Sequence, residues 1–400
     1  MSRISVIGLD GSPLPAQTEA LLKKAEVVAG GRRHLEAAGV EPERAAVLER
    51  DLSGAMSRLD EADSAAVLAS GDPGYFGIVR ALSERFGSES LSVTPAVSSV
   101  SLAFARAGLP WDDAVTVSAH GRDPRRAVNV CRAYPKVAVL TSPEFGPAQV
   151  AECLGGEGWG RTMLVAERLG EPEERVFRGS LEEVAGMEWE NPNVVISLDE
   201  GREVGGKPWI SGPERAGGWA LSEEEFEHRS AMITKPEPRA LALARLAPRP
   251  GDLVWDVGAG SGSVAVECSR FGAAAIAVER DPESCDRIRR NARGHGAYVR
   301  VVEGESPDVL HGLPEPDAVF VGGTGGGFEE TIALCASRAR RAVVLTLIGL
   351  ERVVPAGEIL ESVGFEVETT LLQASKIRGV GQLHRLAAET PVFVVAGSRA

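Results

Sequence analysis

The stretch Leu253–Gly262, LVWDVGAGSG, decides the fold of this chain. It opens with three apolar residues and Asp256, and then places a glycine at every second position. These glycines are Gly258, Gly260 and Gly262. The small and apolar residues that follow, Ser263–Cys268, suit the first turns of a helix. The pattern therefore predicts a buried strand, a tight glycine turn and a helix start. Glycine has no Cβ and tolerates positive φ, so a ligand can approach such a turn closely.

Three more segments with strand character follow the glycine turn, and each ends in acidic residues or glycines. The segments with their ends are Ala274–Val278 with Glu279, Val299–Val302 with Glu303-Gly304-Glu305, and Asp317–Val321 with Gly322 to Gly327. An acidic residue about 20 positions after such glycines is placed to accept hydrogen bonds from both ribose hydroxyls of a nucleotide. Glu279 holds that position, so the order of these segments indicates a nucleotide-type ligand at the edge of a Rossmann-like sheet.

The residues around the turn favour one nucleotide ligand over another. A dinucleotide fingerprint has Gly or Ala where this chain has Ser263. The run acid-x-Gly-x-Gly-x-Gly instead resembles the first motif of class I S-adenosylmethionine (SAM) methyltransferases. This resemblance implies SAM as the cofactor, held by Asp256, the three glycines and Glu279, with Gly304 beside the adenine and Gly323 in the last loop. Thr234, which precedes the glycine motif in the run Ile233-Thr234-Lys235, belongs to the same implied set. Glu279 alone fits NAD equally well, and a glycine turn without a ligand is the remaining alternative.

Size and charge limit the classes of function. A chain of 400 residues predicts two domains. The net charge of −14 argues against nucleic acid or an anionic membrane as the main partner, because a phosphate polymer needs a basic surface. The five cysteines are scattered without a C-x-x-C pair, which predicts reduced thiols in a cytosolic protein. No apolar run reaches the roughly 18 residues of a membrane helix. No metal-ligand spacing or Ser-His-Asp order stands out, so no metal site is predicted.

The first half of the chain alternates short strands with helices. Predicted strands are Ile4–Gly8, Val27–Ala29, Ala65–Ala69, Leu91–Val93, Ala114–Val117, Val137–Leu140, Thr162–Glu167, Val176–Gly179 and Val194–Leu198. Glycine-rich or polar loops follow several of these strands, which predicts an open α/β sheet with a site at the strand ends. Residues 201–229 lack any period and predict a linker. Residues 374–389 predict a polar loop before the last strand.

The stretch Ala69–Gly77, ASGDPGYFG, connects the first half to a known family. It is similar to the GDP loop of class III tetrapyrrole methyltransferases, which implies SAM contacts from Gly71, Asp72 and Gly74. The stretch around Ser98 and Ser99 also resembles the methyl-donor pocket of that family. The sequence departs from the family at Val6–Asp10, VIGLD, where a G-x-G-P-G pattern is usual. Asp72 has a second interpretation, in which its carboxylate orders its own turn.

The order of the two halves resembles the fused, decarboxylating precorrin-6Y methyltransferases of cobalamin biosynthesis. The resemblance implies a tetrapyrrole methyltransferase fold of two α/β subdomains over 1–200, which methylates carbon 5. It also implies a linker over 201–229 and a Rossmann-like class I domain over 230–400, which methylates carbon 15 and decarboxylates. A tetrapyrrole substrate and a homo-oligomer are part of the same implication. Two alternatives stay open: the same chemistry on cobalt-containing substrates, and one half that binds tetrapyrrole without catalysis.

Four basic side chains are candidates for contact with the substrate carboxylates. They are His120, Arg122, Lys235 and Arg378. Arginine and lysine suit this task because they donate charge-assisted hydrogen bonds to carboxylates. For each of them the alternative is an ordinary solvated or structural side chain. The sequence does not indicate which residues act as acid or base.

Overall fold

The computed structural model describes residues 4–48, 52–155, 160–201, 211, 218–229, 233–323, 326–380 and 383–399. Residues 202–210 and 212–217 of the predicted linker, residue 230, where the second predicted domain begins, and Thr324 and Gly325 of the predicted glycine loop lie outside this description. The described residues form two compact units. The first contains 4–122, 136–155 and 160–200, and the second contains 123–135 and the described residues from 201 onward.

A parallel five-stranded sheet begins the first unit. Its elements are β1 Ile4–Leu9, α1 Ala16–Lys24, β2 Val27–Gly30, α2 Arg32–Ala37, β3 Ala45–Val47, α3 Leu52–Glu61, β4 Ala65–Ser70, α4 Val79–Phe86 and β5 Leu91–Thr94. The strand order is β3-β2-β4-β1-β5, and every described neighbouring pair is parallel. The central strands are apolar along most of their length because both faces of the sheet are covered by buried side chains.

A second five-stranded sheet, mostly antiparallel, follows along the chain. The elements of this stretch are α5 Ser99–Ala107, β6 Val115–Ser118, α6 Pro124–Ala133, β7 Lys136–Leu140, α7 Pro147–Leu154, β8 Thr162–Glu167, β9 Arg175–Ser180, α8 Leu181–Ala185 and β10 Asn193–Leu198. The strand order is β6-β7-β10-β8-β9. Helix α5 starts where the Ser98 hydroxyl accepts a hydrogen bond from the Ser101 amide at 3.1 Å. It ends before Gly108, whose φ of 65° continues the chain in the left-handed region.

The second unit is built on a seven-stranded sheet. Its elements are α9 Pro236–Leu246, β11 Leu253–Val257, α10 Ser263–Arg270, β12 Ala274–Glu279, α11 Pro282–Gly294, β13 Val299–Glu303, β14 Ala318–Val321, α12 Phe328–Arg338, β15 Ala342–Leu347, α13 Leu350–Ser362, β16 Glu366–Leu372, β17 Ser375–Val380, β18 Leu383–Ala388 and β19 Val392–Ser398. The strand order is β13-β12-β11-β14-β15-β19-β16.

The glycine turn lies at the point where the strand order of this sheet reverses. Five strands, β13, β12, β11, β14 and β15, run parallel to one another. β19 runs antiparallel to both of its neighbours. From β11 the chain first adds strands on one side and then returns to add β14 on the other. Ligands of open α/β sheets bind outside the carboxyl ends of the strands at such a point. The prediction of an α/β fold with a Rossmann-like second half is confirmed.

The predicted polar loop at 374–389 is wrong, because Ser375–Val380 and Leu383–Ala388 pair as the antiparallel strands of a hairpin, β17 and β18. Residues 381 and 382 of the predicted loop lie outside the described residues. Ile377 and Leu386 are direct cross-strand partners in the hairpin, and their exposed fractions are 71% and 72%. The prediction failed because polar and apolar residues are mixed on both faces of the hairpin. Neither face is uniformly apolar, as the face of a strand packed on a core would be.

Candidate active sites

The loops that follow β11 and β14 touch at the glycine turn of the second unit. Gly258 has a φ of 68°, and its amide donates to the carbonyl of Val278 at 2.9 Å. A Cβ added to Gly258 would lie 1.9 Å from the carbonyl oxygen of Gly323. Gly260 and Gly262 also have positive φ, at 57° and 72°. Glycine is therefore required both for the backbone conformation and for the contact between the two loops.

The carboxylate of Glu279 joins the end of β12 to this turn. One of its oxygens accepts from the amide of Gly260 at 2.9 Å. The other accepts from the amides of Arg280 and Asp281 at 2.9 and 3.0 Å. The Glu279 carbonyl accepts from the amide of Gly304 at 3.0 Å, so the loop after β13 reaches the same place. The carboxylate is half-buried, and its oxygens have lone pairs left for a ligand.

Asp256 lies beneath the glycine turn and is 1% exposed. Its Oδ2 accepts from the amide of Ala265 at 2.9 Å, which fixes the start of α10 to the end of β11. Its Oδ1 is buried and has no hydrogen-bond partner among the described residues. Burial raises the pKa of Asp256 to about 7, against the bond from Ala265 and with the help of the Glu279 charge. The buried carboxyl therefore titrates near neutral pH.

A small cleft opens beside Gly323, with a volume of about 350 Å³. It is lined by residues that follow β14 and β15, including Phe328 and Arg352. The guanidinium of Arg352 lies 4.9 Å from the centre of the Phe328 ring, which is a cation–π distance. This cleft brings an apolar surface and a basic group to the carboxyl edge of the sheet.

The segment that precedes α9 packs against Glu267 of α10 within the second unit. The carboxylate of Glu267 accepts from the amides of Ala220 and Leu221 at 2.6 and 3.1 Å, and from Arg239 at 2.7 Å. Arg239 is fully buried and also donates to the carbonyl of Thr234 at 2.8 Å. Lys235 pairs with Glu223 at 2.5 Å. Thr234 and Lys235 are thus held within this segment.

The first unit contains a larger cleft, with a volume of about 1320 Å³. It lies at the carboxyl ends of β1 and β4 and extends to the ends of β6, β7 and β8. Four of the predicted site residues line it, which are Gly71, Ser99, His120 and Arg122. The side chain of Arg122 is exposed and has no ion pair among the described residues. A basic group without a partner on a cleft wall is available to an anionic ligand.

The carboxylate of Asp72 orders its own turn, which is the second of the two interpretations that the sequence allows. Its Oδ1 accepts from the amide of Gly74 at 2.8 Å, which is an Asx-type bond. Gly71 has a φ of 58°, and a Cβ on it would lie 3.1 Å from the Cα of Ser98. The loop after β4 therefore packs against the start of α5. Asp72, Gly74 and Ser98 support the cleft wall that Gly71 and Ser99 line.

Asp10, where the sequence departs from the family pattern, links three loops of this cleft. Its carboxylate accepts from the amides of Ser12 and Val97 at 3.0 and 3.5 Å. Burial would raise the pKa of Asp10, but the hydrogen bonds from Ser12 and Val97 outweigh it and lower the pKa below its ordinary value. Gly11 meets Gly170 so closely that a Cβ on Gly11 would lie 2.0 Å from the Gly170 carbonyl oxygen. The cleft is thus closed at one end by backbone-to-backbone contact.

Sequence reasoning missed other charged side chains of the cleft. Arg33, Arg44 and Arg168 line it together with His34. Arg168 has a positive φ of 50°, which a non-glycine residue keeps only when its surroundings hold it. It pairs with Glu171 at 2.8 Å, and Glu171 also pairs with Arg33. The available signal was the run Gly30-Gly31-Arg32-Arg33-His34 directly after a predicted strand.

Arg378 lies elsewhere, on the hairpin of β17 and β18. Its side chain is 64% exposed, and its ion pair among the described residues is with Glu389 at 4.0 Å. The hairpin is tied to α9 by Lys376, which lies 3.5 Å from Glu237. The structure therefore does not bring Arg378 to either cleft.

Within the described residues, no helix combines the length and hydropathy that a membrane crossing requires. In the same part of the chain, His, Cys, Asp and Glu side chains form no group that could hold a metal ion.

Two family models match the chain. The model described as Tetrapyrrole (Corrin/Porphyrin) Methylases matches residues 8–185. The model described as Precorrin methyltransferase domain matches residues 224–398. The first match covers most residues that line the larger cleft, and the second covers the residues that line the smaller one.

Curated relatives extend over most of the chain. A precorrin-6Y C(5,15)-methyltransferase [decarboxylating] of Sinorhizobium sp is 38% identical over 84% of this chain and 81% of its own length. The protein of the same name from Mycobacterium tuberculosis is 34% identical over 79% of each chain. A shorter relative from Pyrobaculum calidifontis, named "Probable cobalt-precorrin-6B C(15)-methyltransferase (decarboxylating)", is 32% identical over 44% of this chain and 93% of its own. The chain belongs to the family of decarboxylating precorrin-6Y C(5,15)-methyltransferases.

Proposed function

We propose that this chain methylates precorrin-6Y at carbons 5 and 15 and removes carbon dioxide from the ring-C acetate arm, giving precorrin-8X. SAM is the methyl donor for both transfers in this proposal. The observation that carries it is a glycine-lined cleft at the carboxyl ends of parallel strands in each of the two units. Two such clefts allow each unit to carry out one of the two transfers.

The second unit has the groups that SAM requires. The Glu279 carboxylate stands where it can accept from ribose hydroxyls, and the turn of Gly258 and Gly260 lies beside it. When bound, SAM supplies a methyl group already activated on a sulfonium sulfur. Because of that activation, the residues of the chain mainly orient the reactants and exclude water. Arg352, beside Gly323 in the smaller cleft, is placed to hold a substrate carboxylate.

The larger cleft suits a bulky, polyanionic substrate. Its volume of about 1320 Å³ exceeds that of usual small-molecule pockets, which hold roughly 300–1,000 Å³. Its walls carry Arg33, Arg44, Arg122 and Arg168 beside the acidic Asp10, Glu19 and Glu171. Arg33 and Arg168 pair with Glu171, whereas Arg122 has no ion pair among the described residues. Arginine binds carboxylates through two parallel hydrogen bonds, and a precorrin carries many carboxylates. This lining supports a tetrapyrrole substrate, and the net charge of −14 disfavours an extended nucleic acid, which binds to a basic patch or stripe.

We assign the carbon-5 transfer to residues 1–200, and the carbon-15 transfer with decarboxylation to residues 230–400, with 201–229 between them. A relative of about half the length that carries only the C(15) name supports a division of labour between halves. Loss of carbon dioxide needs an electron sink, and the conjugated ring can serve as one without a further cofactor. A cytosolic location, expected from five scattered cysteines without a C-x-x-C pair, is part of the proposal.

We also propose that the chain forms a homo-oligomer. A two-stranded hairpin is only marginally stable in water unless it packs against something. The hairpin of β17 and β18 exposes Ile377, Leu383 and Leu386 by 71%, 75% and 72%. A second copy of the chain would cover Ile377 and Leu386, which are cross-strand partners on one face.

The test is mass spectrometry of the product formed from precorrin-6Y and SAM. The wild-type chain is expected to add two methyl groups and release carbon dioxide. The variant Asp256→Ala removes the carboxylate beneath the second glycine turn, so it is expected to add only one methyl and to release none. If the wild-type chain leaves precorrin-6Y unchanged but converts the cobalt-containing form, the substrate is the cobalt form. An unchanged product in the variant would show that the halves do not divide the work.

A further inference from the structure

Ser70 and His34 meet on the wall of the larger cleft. Ser70 is the last residue of β4, directly before Gly71, and its side chain is exposed. His34 lies in α2, which follows β2. Because β2 and β4 are adjacent parallel strands, their carboxyl ends bring both residues to the same edge of the sheet. The Nε2 atom of His34 lies 3.0 Å from the Oγ of Ser70.

The neighbouring charges favour His34 as an acceptor. The guanidinium of Arg33 lies 3.4 Å from the same Nε2 atom, and it can only donate. This arrangement favours the tautomer in which Nε2 carries the lone pair and the Ser70 hydroxyl donates to it. Burial, and then the charge of Arg33, lower the pKa of His34, while Glu171 opposes them. The imidazole is therefore neutral at neutral pH and able to accept a proton.

The other ring nitrogen shows that packing alone does not account for His34. Its Nδ1 atom is buried and has no hydrogen-bond partner among the described residues. An unpaired buried polar atom is costly to a fold. A side chain that serves only to fill space would avoid this cost. The His34 ring thus keeps its Nδ1 atom in an unfavourable environment while its Nε2 atom faces the exposed Ser70 hydroxyl in the cleft.

We propose that Ser70 and His34 are the proton-accepting pair of the methyl transfer in the first unit. In this arrangement the Ser70 hydroxyl contacts the substrate and His34 is the base behind it. The inference rests on the proposed function, because it requires a substrate carbon that exchanges a hydrogen for a methyl group.

The step balances in atoms and charge. The electron pair of the ring carbon forms the new bond to the methyl carbon, while the bond from methyl to sulfur breaks and its electrons stay on sulfur. The C–H bond of the same ring carbon then breaks, and its electrons return to the conjugated ring. That proton passes to Ser70 Oγ as the Ser70 proton moves to His34 Nε2. The positive charge of the sulfonium thus ends on the imidazole, where the charge of Glu171 favours it and the charge of Arg33 opposes it.

The experiment compares the full chain with His34→Asn under single-turnover conditions, with precorrin-6Y and SAM, over the pH range in which imidazole titrates. In the wild type, the rate of the first-unit methylation is expected to fall at low pH along one ionisation. In the variant, the rate is expected to be about 100-fold lower and to lose this pH dependence. The product of this variant should still have lost carbon dioxide and should still carry the methyl group that the second unit adds. Ser70→Ala should slow the same step, and the double variant should be no slower than His34→Asn.

Two controls separate this inference from its alternatives. His311→Asn changes an exposed histidine of the second unit and should leave the rate and the pH profile unchanged. Calorimetry should find SAM affinity retained in His34→Asn, and if that variant does not fold, Ser70→Ala carries the test. A wild-type pH profile in either variant overturns the pair while the proposed function stands. A wild-type chain that methylates neither form of the substrate removes the proposed function and this inference with it.

Discussion

The carboxylate of Glu279 accepts a hydrogen bond from the backbone amide of Gly260 at 2.9 Å. One acid at the end of β12 thereby holds the glycine turn that follows β11. A nucleoside bound there would meet a carboxylate that is already fixed in position. Fixed acceptors bind more tightly than free ones because less conformational entropy is lost on binding.

Replacing Glu279 by Ala is expected to weaken SAM binding at the second-unit site by about 100-fold. This corresponds to about 3 kcal/mol for the loss of hydrogen bonds to a charged acceptor. Calorimetric titration of the full chain should then find one of two sites weakened. The matched control is Glu283→Ala on α11, whose side chain is 71% exposed. Equal affinity in wild type and Glu279→Ala would remove Glu279 from the site.

Asp256→Asn is expected to abolish one component of the pH dependence of stability. The pKa of Asp256 is about 7 in the fold and 3.8 as its ordinary value, so between these values the unfolded chain binds fewer protons than the folded one. The free energy of unfolding therefore falls as pH rises through this window, by at most about 1.4 kcal/mol per pH unit. Asparagine still accepts from Ala265 and does not ionise.

Urea unfolding at a series of pH values checks this prediction. The difference in unfolding free energy between Asp256→Asn and the wild type should shift in favour of the variant from pH 4 to pH 7, the window set by the two pKa values. Asp308→Asn, at an exposed aspartate, provides the control and should follow the wild type. A constant difference would mean that Asp256 is ionised throughout the window.

Gly258→Ala is expected to disable the second unit selectively. Its Cβ would lie 1.9 Å from the carbonyl oxygen of Gly323, and its φ of 68° disfavours alanine. The two loops must separate, so methylation at the second site should fall by at least about 100-fold, in line with a misplacement of about 1 Å. Gly294→Ala, where an added Cβ meets nothing within 4 Å, is the matched control. Product mass reports both, and a doubly methylated product from Gly258→Ala would contradict the assignment.

Several features of the fold followed from the sequence because they depend on local patterns. Leu253–Val257 is an apolar run that stops at glycines, and it forms the buried central strand. Thr162–Glu167 has the same character and forms β8 over the same residues. β11 is a parallel strand and β8 an antiparallel one, and both have this signature because both of their faces are covered.

Other features could not be predicted from the sequence because they depend on contacts between residues that are distant in the chain. His34 was visible after a strand, but its partner Ser70 lies 36 positions away. The role of Asp10 was hidden for the same reason, since it accepts from the amide of Val97. The hairpin of β17 and β18 has no buried face in the chain by itself, so no periodicity marked it.

That hairpin gives a prediction about assembly. The double variant Ile377→Ser with Leu386→Ser removes an exposed cross-strand apolar pair and should lower the molar mass measured by light scattering to that of a smaller species. Leu52→Ser, at an exposed leucine of the first unit, should leave the mass unchanged. If the wild-type chain is itself monomeric, the proposed homo-oligomer is wrong.

The partners of Glu267 determine where the second half can be separated from the first. Its carboxylate depends on the amides of Ala220 and Leu221, which precede residue 230. A fragment starting at 230 would retain the buried Arg239–Glu267 pair and lose those two donors, together with the nearly buried ring of Phe226. A fragment starting at 218 would keep them all. When the two halves are separated or joined, by evolution or by engineering, the segment that starts at residue 218 should therefore stay attached to the second half.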